Sequence, residues 1–214
     1  MRVLSAITLA AILAAGPSLA NQVSFDGSWK NQKFSLFSTN RYAQQGGTLG
    51  VASDDSVSLL YRAVPPSLWP SDTASWTWQV SQGVPGTDLT RKGGDDRNLA
   101  LYFVFLPQAD AERLRGTSVT RLLSNEAVRV LVYVWGGNHS RGEMLPSPYL
   151  GARGKTVVLR PSDTGRASER VDLAADYRKA FGGSPDALVG LAVSGDSDDT
   201  DSTIRAQVSG LRLN

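Results

Sequence analysis

Cysteine is absent from the 214 residues, and this absence removes several classes of chemistry at once. A chain without thiols has no cysteine nucleophile, no thiolate zinc site and no iron–sulfur cluster. It also has no disulfide bond, so an exported form of the chain must depend on packing alone for its stability. A chain of this length is long enough to build a hydrophobic core that meets this demand.

Histidine is almost absent, and runs of basic residues are lacking. His139 is the single histidine, and no Gly-x-Ser-x-Gly nucleophile elbow accompanies it, so we interpret it as a loop residue. The formal net charge is only +2. Without a basic cluster the chain lacks the electrostatic footprint of a nucleic-acid-binding protein, and we predict no nucleic-acid partner.

Long apolar runs are confined to the N-terminus. Arg2 precedes the apolar segment Val3–Ala15, and small residues follow up to Ala20. This order is typical of a signal peptide cleaved after Ala20, and the run is too short for a comfortable membrane span. We therefore predict a signal peptide over residues 1–20, export to the periplasm or the medium, and no transmembrane segment after cleavage. A single domain is predicted over residues 21–214.

Most of the remaining chain is typical of β-strands separated by Gly, Pro, Asp and Ser clusters. Two segments, Leu99–Leu106 and Val128–Trp135, are apolar on both faces and are predicted to be central strands. The other predicted strands are Lys33–Ser38, Thr48–Ser53, Val57–Val64, Ala74–Ser81, Thr156–Arg160, Ser168–Asp172, Leu188–Ser194 and Thr203–Val208.

One short α-helix is predicted near residues 172–181. Asp172 is a suitable N-cap, an apolar stripe follows it, and Gly182 and Gly183 end the helix. Many strands and one helix predict an all-β fold, a two-sheet antiparallel β-sandwich of the jelly-roll or galactose-binding-like kind.

Two acidic loops form the first part of a candidate binding site. One precedes a central strand and carries Lys92, Asp95 and Asp96; the other separates the last two strands and carries Asp196, Asp198 and Asp199. Carboxylates at alternate loop positions suit calcium, so Asp196 and Asp198 are candidate calcium ligands. Alternatively, such aspartates accept hydrogen bonds from their own backbone amides, and both readings stay open.

Two aromatic residues complete the candidate site. Trp135 ends a predicted strand, and Tyr149 lies among prolines and a glycine, where loops that carry binding residues are common. Exposed aromatic faces can stack on sugar rings while neighbouring carboxylates bind the hydroxyl groups. The competing interpretation is that these aromatic residues fill the core of the sandwich.

Several motifs occur in an order that resembles a known family. They are Trp76-x-Trp78, Thr87–Asp96, Tyr102–Phe105, Tyr133–Trp135, Ser147-Pro148, Asp176–Gly182 and Asp196–Thr200. Together they resemble the exported bacterial family catalogued as domain of unknown function 3047. The resemblance implies a bacterial exported β-sandwich and no particular activity. The family pattern has an arginine near position 100, where this chain has Ala100; in a regular strand Arg97 would face the opposite side.

Three functions remain open from the sequence. The first is a non-catalytic module that binds a carbohydrate or another envelope glycan through the two acidic loops, Trp135 and Tyr149. The second is a calcium-assisted polysaccharide hydrolase or lyase in which Asp95 or Asp96 is the acid or base. The third is an envelope assembly protein that contacts a protein partner. No cofactor other than calcium is indicated.

Overall fold

The structure is a computed structural model that describes residues 21–35 and 38–214. The predicted signal peptide lies outside the described residues. Twelve strands are present in the described part of the chain: β1 (Lys30–Lys33), β2 (Arg41–Gln45), β3 (Thr48–Asp54), β4 (Ser58–Ala63), β5 (Thr73–Gln82), β6 (Arg97–Leu106), β7 (Arg129–Trp135), β8 (Met144–Ser147), β9 (Gly151–Arg160), β10 (Gly165–Asp172), β11 (Ala187–Asp196) and β12 (Thr203–Leu213).

These strands form two packed sheets. The seven-stranded sheet has the order β1-β4-β11-β6-β7-β9-β8, and the five-stranded sheet has the order β10-β5-β12-β3-β2. The predicted all-β sandwich of jelly-roll type is confirmed. One pairing, β7 with β9, is parallel, whereas the others are antiparallel. After β7 the chain first forms the edge strand β8. It then turns back, and β9 fills the place between β8 and β7, antiparallel to β8 and therefore parallel to β7.

The core lies between the sheets and is rich in aromatic side chains. Trp76 and Trp78 alternate with polar residues along β5, so both indole rings face the seven-stranded sheet. Trp76 packs on Phe103 and Tyr133, and Trp78 packs on Trp135 with ring centroids 5.6 Å apart. Because the chain has no cysteine, this aromatic packing stabilises the core without disulfide bonds.

In the described residues three short α-helices accompany the strands: α1 (Gln108–Arg113), α2 (Val119–Leu123) and α3 (Leu173–Phe181). The predicted N-cap of α3 is confirmed, since the Asp172 carboxylate accepts a hydrogen bond from the backbone amide of Ala175 at 2.7 Å. The sequence analysis missed α2, whose five residues are too few to show a helical period. No helix among the described residues is long and apolar enough to cross a membrane.

The first strand begins and ends earlier than predicted. The sequence predicted Lys33–Ser38, whereas β1 covers Lys30–Lys33 and pairs with β4 at the edge of its sheet. All four side chains of β1 are at least partly exposed, so an edge strand of this kind has little apolar alternation to reveal it.

The burial of Trp135 leads to the first prediction. Replacement Trp135→Ala should lower the free energy of unfolding by about 3–5 kcal/mol, because it leaves a large cavity in the core. The exposed Phe34 provides a matched aromatic control, and Phe34→Ala should change that free energy by no more than about 0.5 kcal/mol. Urea unfolding followed by circular dichroism measures both variants. Equal midpoints for Trp135→Ala and the unsubstituted protein would contradict this account of the core.

Candidate ligand-binding cleft

A cleft of about 560 Å³ opens on the outer face of the seven-stranded sheet, the face turned away from the five-stranded sheet. Its floor is formed by β4, β6, β7 and β11, and α2 forms part of its wall. Phe34 and Tyr149, the two large apolar side chains that are exposed in the described residues, both line it. An opening of this size accommodates a small molecule or a short segment of a polymer.

The two acidic loops meet at one end of this cleft because Asp96 joins them. One oxygen of the buried Asp96 carboxylate accepts a hydrogen bond from the backbone amide of Asp199 at 3.3 Å. The other accepts from the backbone amide of Thr200 at 2.8 Å and from its hydroxyl group at 2.5 Å. Asp96 therefore positions the second loop, and its oxygens are already committed to the protein itself.

Arg97 occupies the centre of the acidic end. Its Nη1 donates to an Asp95 carboxylate oxygen at 2.8 Å and lies 3.0 Å from an oxygen of Asp196. Its Nη2 donates to the phenolic oxygen of Tyr102 at 2.9 Å. One guanidinium group therefore serves two nearly buried carboxylates at once.

A β-bulge explains how Arg97 reaches this face. Ser194 of β11 pairs with Ala100, but Asp196 pairs with Arg97, so β6 contains one extra residue between the two pairs. An extra residue reverses the alternation of side chains, and Arg97 thereby joins Tyr102 on the outer face. The expectation that Arg97 points away from the face of position 100 is wrong for this reason.

Asp95, Tyr149 and Lys92 lie together at the rim. The Tyr149 hydroxyl group donates to the second Asp95 oxygen at 2.8 Å, and the Lys92 ammonium group lies 5.5 Å from the centre of the Tyr149 ring. Burial and the bond to the Asp95 carboxylate raise the pKa of Tyr149, so this phenol stays a donor at physiological pH. Three residues that the sequence analysis proposed are thus neighbours.

The acidic end has unusual protonation. Burial raises the pKa of Asp196 to about 8; Arg97 opposes this shift, while Asp198 and Asp96 reinforce it. Burial works against the charge of Arg97, but Tyr102, Asp196 and Asp95 outweigh it and raise the pKa of the guanidinium group. Burial and then Asp96 and Asp198 also raise the pKa of Asp199. The site therefore combines a carboxyl group whose pKa is raised above its ordinary range with an arginine that keeps its charge.

Trp135 does not belong to this cleft. Its side chain is buried in the core, where its indole nitrogen donates to Asp163 at 2.7 Å. Alternation along β7 places Tyr133 and Trp135 on the inner face, and Val130 and Val132 on the outer face. The prediction that Trp135 offers its ring to a ligand is therefore wrong.

The group of three carboxylates that could hold a metal ion contains only one member of the predicted calcium pair, Asp198. Within the described residues, oxygens of Asp96, Asp198 and Asp199 lie within 4.8 Å of one another. Asp196 instead faces the Arg97 cation, which disfavours a metal ion there. Calcium takes six to eight oxygen ligands, and the oxygens of Asp96 already accept hydrogen bonds. Calcium binding stays a prediction.

The sequence analysis missed other residues of the cleft. Tyr102 and Ser194 form a hydrogen-bonded pair at 3.2 Å beside Arg97, and Val104, Val130 and Val132 form an aliphatic floor farther along. The one signal of these residues in the sequence is that both faces of β6 and β7 are apolar. The same pattern also predicts central strands, and it does not by itself distinguish a cleft.

The sequence model of the family described as a protein of unknown function, DUF3047, matches residues 27–212, so the chain belongs to this family. No curated protein matches the chain.

Several solved structures of low identity are similar in fold. The xyloglucanase domain of NopAA from Sinorhizobium fredii is 11% identical, covers 87% of this chain and 92% of its own, and has a TM-score of 0.44. The family 11 xylanase from Neocallimastix patriciarum is 13% identical, covers 91% of this chain and 95% of its own, and has a TM-score of 0.44. A cellulase derived from Cel12A of Rhodothermus marinus is 11% identical, covers 88% of this chain and 96% of its own, and has a TM-score of 0.46.

The raised pKa of Asp196 leads to a prediction about stability. Because the folded protein keeps this proton up to a pH of about 8, whereas an unfolded aspartate loses it near 3.8, the folded state binds more protons between these values. The stabilisation from this group is complete below the lower value and is lost as the pH rises through the upper one. Asp196→Asn should therefore gain stability relative to the unsubstituted protein as the pH rises.

The measurement is the difference in free energy of unfolding between this variant and the unsubstituted protein, obtained by urea titration at several pH values. Replacement of the exposed Asp186 by Asn is the matched control. Only the change with pH is informative, because the loss of a partner for Arg97 shifts the absolute stability. A difference that stays constant with pH would contradict the raised pKa.

Proposed function

We propose that the protein is a non-catalytic binding module, exported to the bacterial periplasm or the medium, which holds an envelope glycan at the acidic end of the cleft. The observation that carries this proposal is the convergence of two loops whose contacting residues, Asp96 and Asp199, are 103 positions apart in sequence. They meet beside the exposed ring of Tyr149, where both loops line one cleft.

The groups at this end suit a hydroxylated ligand. Asp198 and Asp199 are exposed, so their carboxylates can accept hydrogen bonds from sugar hydroxyl groups. Lys92 is exposed and can donate to hydroxyl or ring oxygens, while the Tyr149 ring gives an apolar surface against which a sugar ring can stack. Asp95 and Arg97 hold Tyr149 in place, so this surface is ordered before the ligand arrives.

A binding experiment tests the proposal. In affinity electrophoresis through gels that contain envelope polysaccharides, the protein should be retarded, and Tyr149→Ala should weaken binding by about tenfold, corresponding to about 1.4 kcal/mol. Asp198→Asn should also weaken binding, because a carboxylate acceptor becomes an amide. Its matched control, Asp186→Asn, changes an exposed aspartate outside the cleft and should bind normally. Equal retardation of Tyr149→Ala and the unsubstituted protein would contradict the proposed site.

A hydrolase or lyase is the second candidate, and one observation favours it. Asp95 and Asp196 each place an oxygen within 3.0 Å of the same Arg97 nitrogen, so these oxygens lie within roughly 6 Å of each other. Retaining glycosidases use two carboxyl groups about 5–5.5 Å apart, one protonated and one ionised. In this arrangement the protonated Asp196 is the acid, and Asp95, paired with Arg97, is the base or nucleophile.

The enzyme hypothesis is tested by incubating the protein with polysaccharides and measuring new reducing ends, or new unsaturated ends for a lyase. Activity should fall by about a thousandfold in Asp196→Asn, since general acid catalysis commonly contributes 10²–10⁴-fold. It should also fall as the pH rises through about 8, where Asp196 loses its proton. A calcium-assisted enzyme should in addition lose activity in a chelator. Binding without any cleavage favours the binding module.

A further inference from the structure

The end of the cleft that lies away from the acidic loops has an aliphatic floor. Val104 of β6 pairs with Val130 of β7, and Tyr102 pairs with Val132, so these side chains form adjacent rows on the outer face. The outer face of a two-sheet sandwich normally carries polar residues, since it meets water. Here the outer face of the two central strands is apolar at this end, and its valines are largely buried, with Val104, Val130 and Val132 at 7%, 1% and 4% exposed.

A helix extends this aliphatic surface. Val119, Leu122 and Leu123 of α2 line the same cleft as the valine floor. A sugar hydroxyl group placed against these side chains would lose its hydrogen bonds to water, at a cost of about 1–3 kcal/mol for each group. A hydrocarbon chain in the same place would gain about 25 cal/mol for each Å² of apolar surface removed from water.

The polar and aliphatic ends belong to one continuous cleft. From Arg97 to Val104 the strand advances seven residues, which corresponds to roughly 20 Å. Tyr102 lies between the two ends, and its hydroxyl group is turned toward the polar end, where it binds Arg97 and Ser194. A ligand that fills the cleft therefore has a hydroxylated head and an apolar tail.

The charge of the polar end restricts the head. Asp198 and Asp199 are exposed acids, while the Arg97 guanidinium group is already shared between Asp95 and Asp196. A phosphate group between the sugar and the tail would face these two acids, against which Lys92 is the one exposed cation among the described lining residues. A neutral head attached to the tail through an ester, ether or glycosidic oxygen avoids this repulsion.

We propose that the ligand is a neutral glycolipid, with its sugar at the acidic loops and its hydrocarbon chain along Val104, Val130 and Val132 under α2. This inference rests on the proposed glycan-binding function and names the class of glycan. It also explains why both faces of β6 and β7 are apolar: the inner faces form the core, and the outer faces bind the chain.

Isothermal titration calorimetry with methyl, hexyl and octyl β-glucosides, all below their micellar concentrations, tests the inference. The Kd should fall as the chain lengthens, by up to about fourfold for each methylene group that is fully buried. Leu122→Gln and Val132→Thr should both reduce this dependence on chain length, the latter at nearly constant side-chain volume. Leu145→Gln is the matched control, since Leu145 is a half-buried leucine that does not line the cleft. It should leave the dependence unchanged.

Two further probes separate this inference from the proposed function. Octyl phosphate should bind more weakly than octyl glucoside, and equal or tighter binding would overturn the neutral head. If soluble envelope oligosaccharides bind but chain length has no effect, the glycolipid inference is wrong while the glycan-binding function stands. If octanol binds as tightly as octyl glucoside and with the same sensitivity to Leu122→Gln, the hydrocarbon site stands and the glycan function is wrong. Binding of none of these probes would overturn both.

Discussion

The Asp96 carboxylate accepts hydrogen bonds from two backbone amides, and the rest of the site depends on this interaction. Asp96 lies immediately before β6, and the amides of Asp199 and Thr200 belong to the loop between β11 and β12. Because β6 and β11 are neighbours in the sheet, a short buried carboxylate is long enough to join the two loops. A polar group that is fully buried must be satisfied by hydrogen-bond donors, and the oxygens of Asp96 are satisfied by the neighbouring loop.

Arg97 then sets the electrostatics of the loops that Asp96 has joined. The guanidinium group contacts Asp95 and Asp196, while Asp198 and Asp199 interact with the acidic side chains beside them and have no recorded contact with Arg97. Burial, with Asp198 and Asp96 nearby, raises the pKa of Asp196, which is buried whereas Asp198 is exposed. The exposed acids at this end support the proposed binding function. The pair Asp95 and Asp196, with the raised pKa of Asp196, supports the alternative of hydrolysis.

The fold followed from local patterns, whereas the site depended on long-range geometry. Alternation in β5 and the Asp172 cap of α3 are properties of neighbouring residues, so the sequence alone predicted them well. Tyr149 and Asp95 could be proposed from their loops, but their hydrogen bond could not. The position of Arg97 depends on a β-bulge relative to β11, and a bulge leaves no mark in a single strand's sequence. Trp135 was assigned to the site in error. It is the last residue of β7, and the alternation of side chains along that strand turns it into the core.

The apolar outer face of β6 and β7 shows why this misassignment matters for function. From the sequence, aromatic residues were the expected ligand surface. Strands that are apolar on both faces indicated only a central, buried position in the sheet. In the structure most of the aromatic rings of these strands fill the core, whereas Tyr102 and the smaller valines line the cleft. An apolar floor bounded by α2 and by an acidic rim is the arrangement on which the proposal of a ligand with two chemically different ends rests.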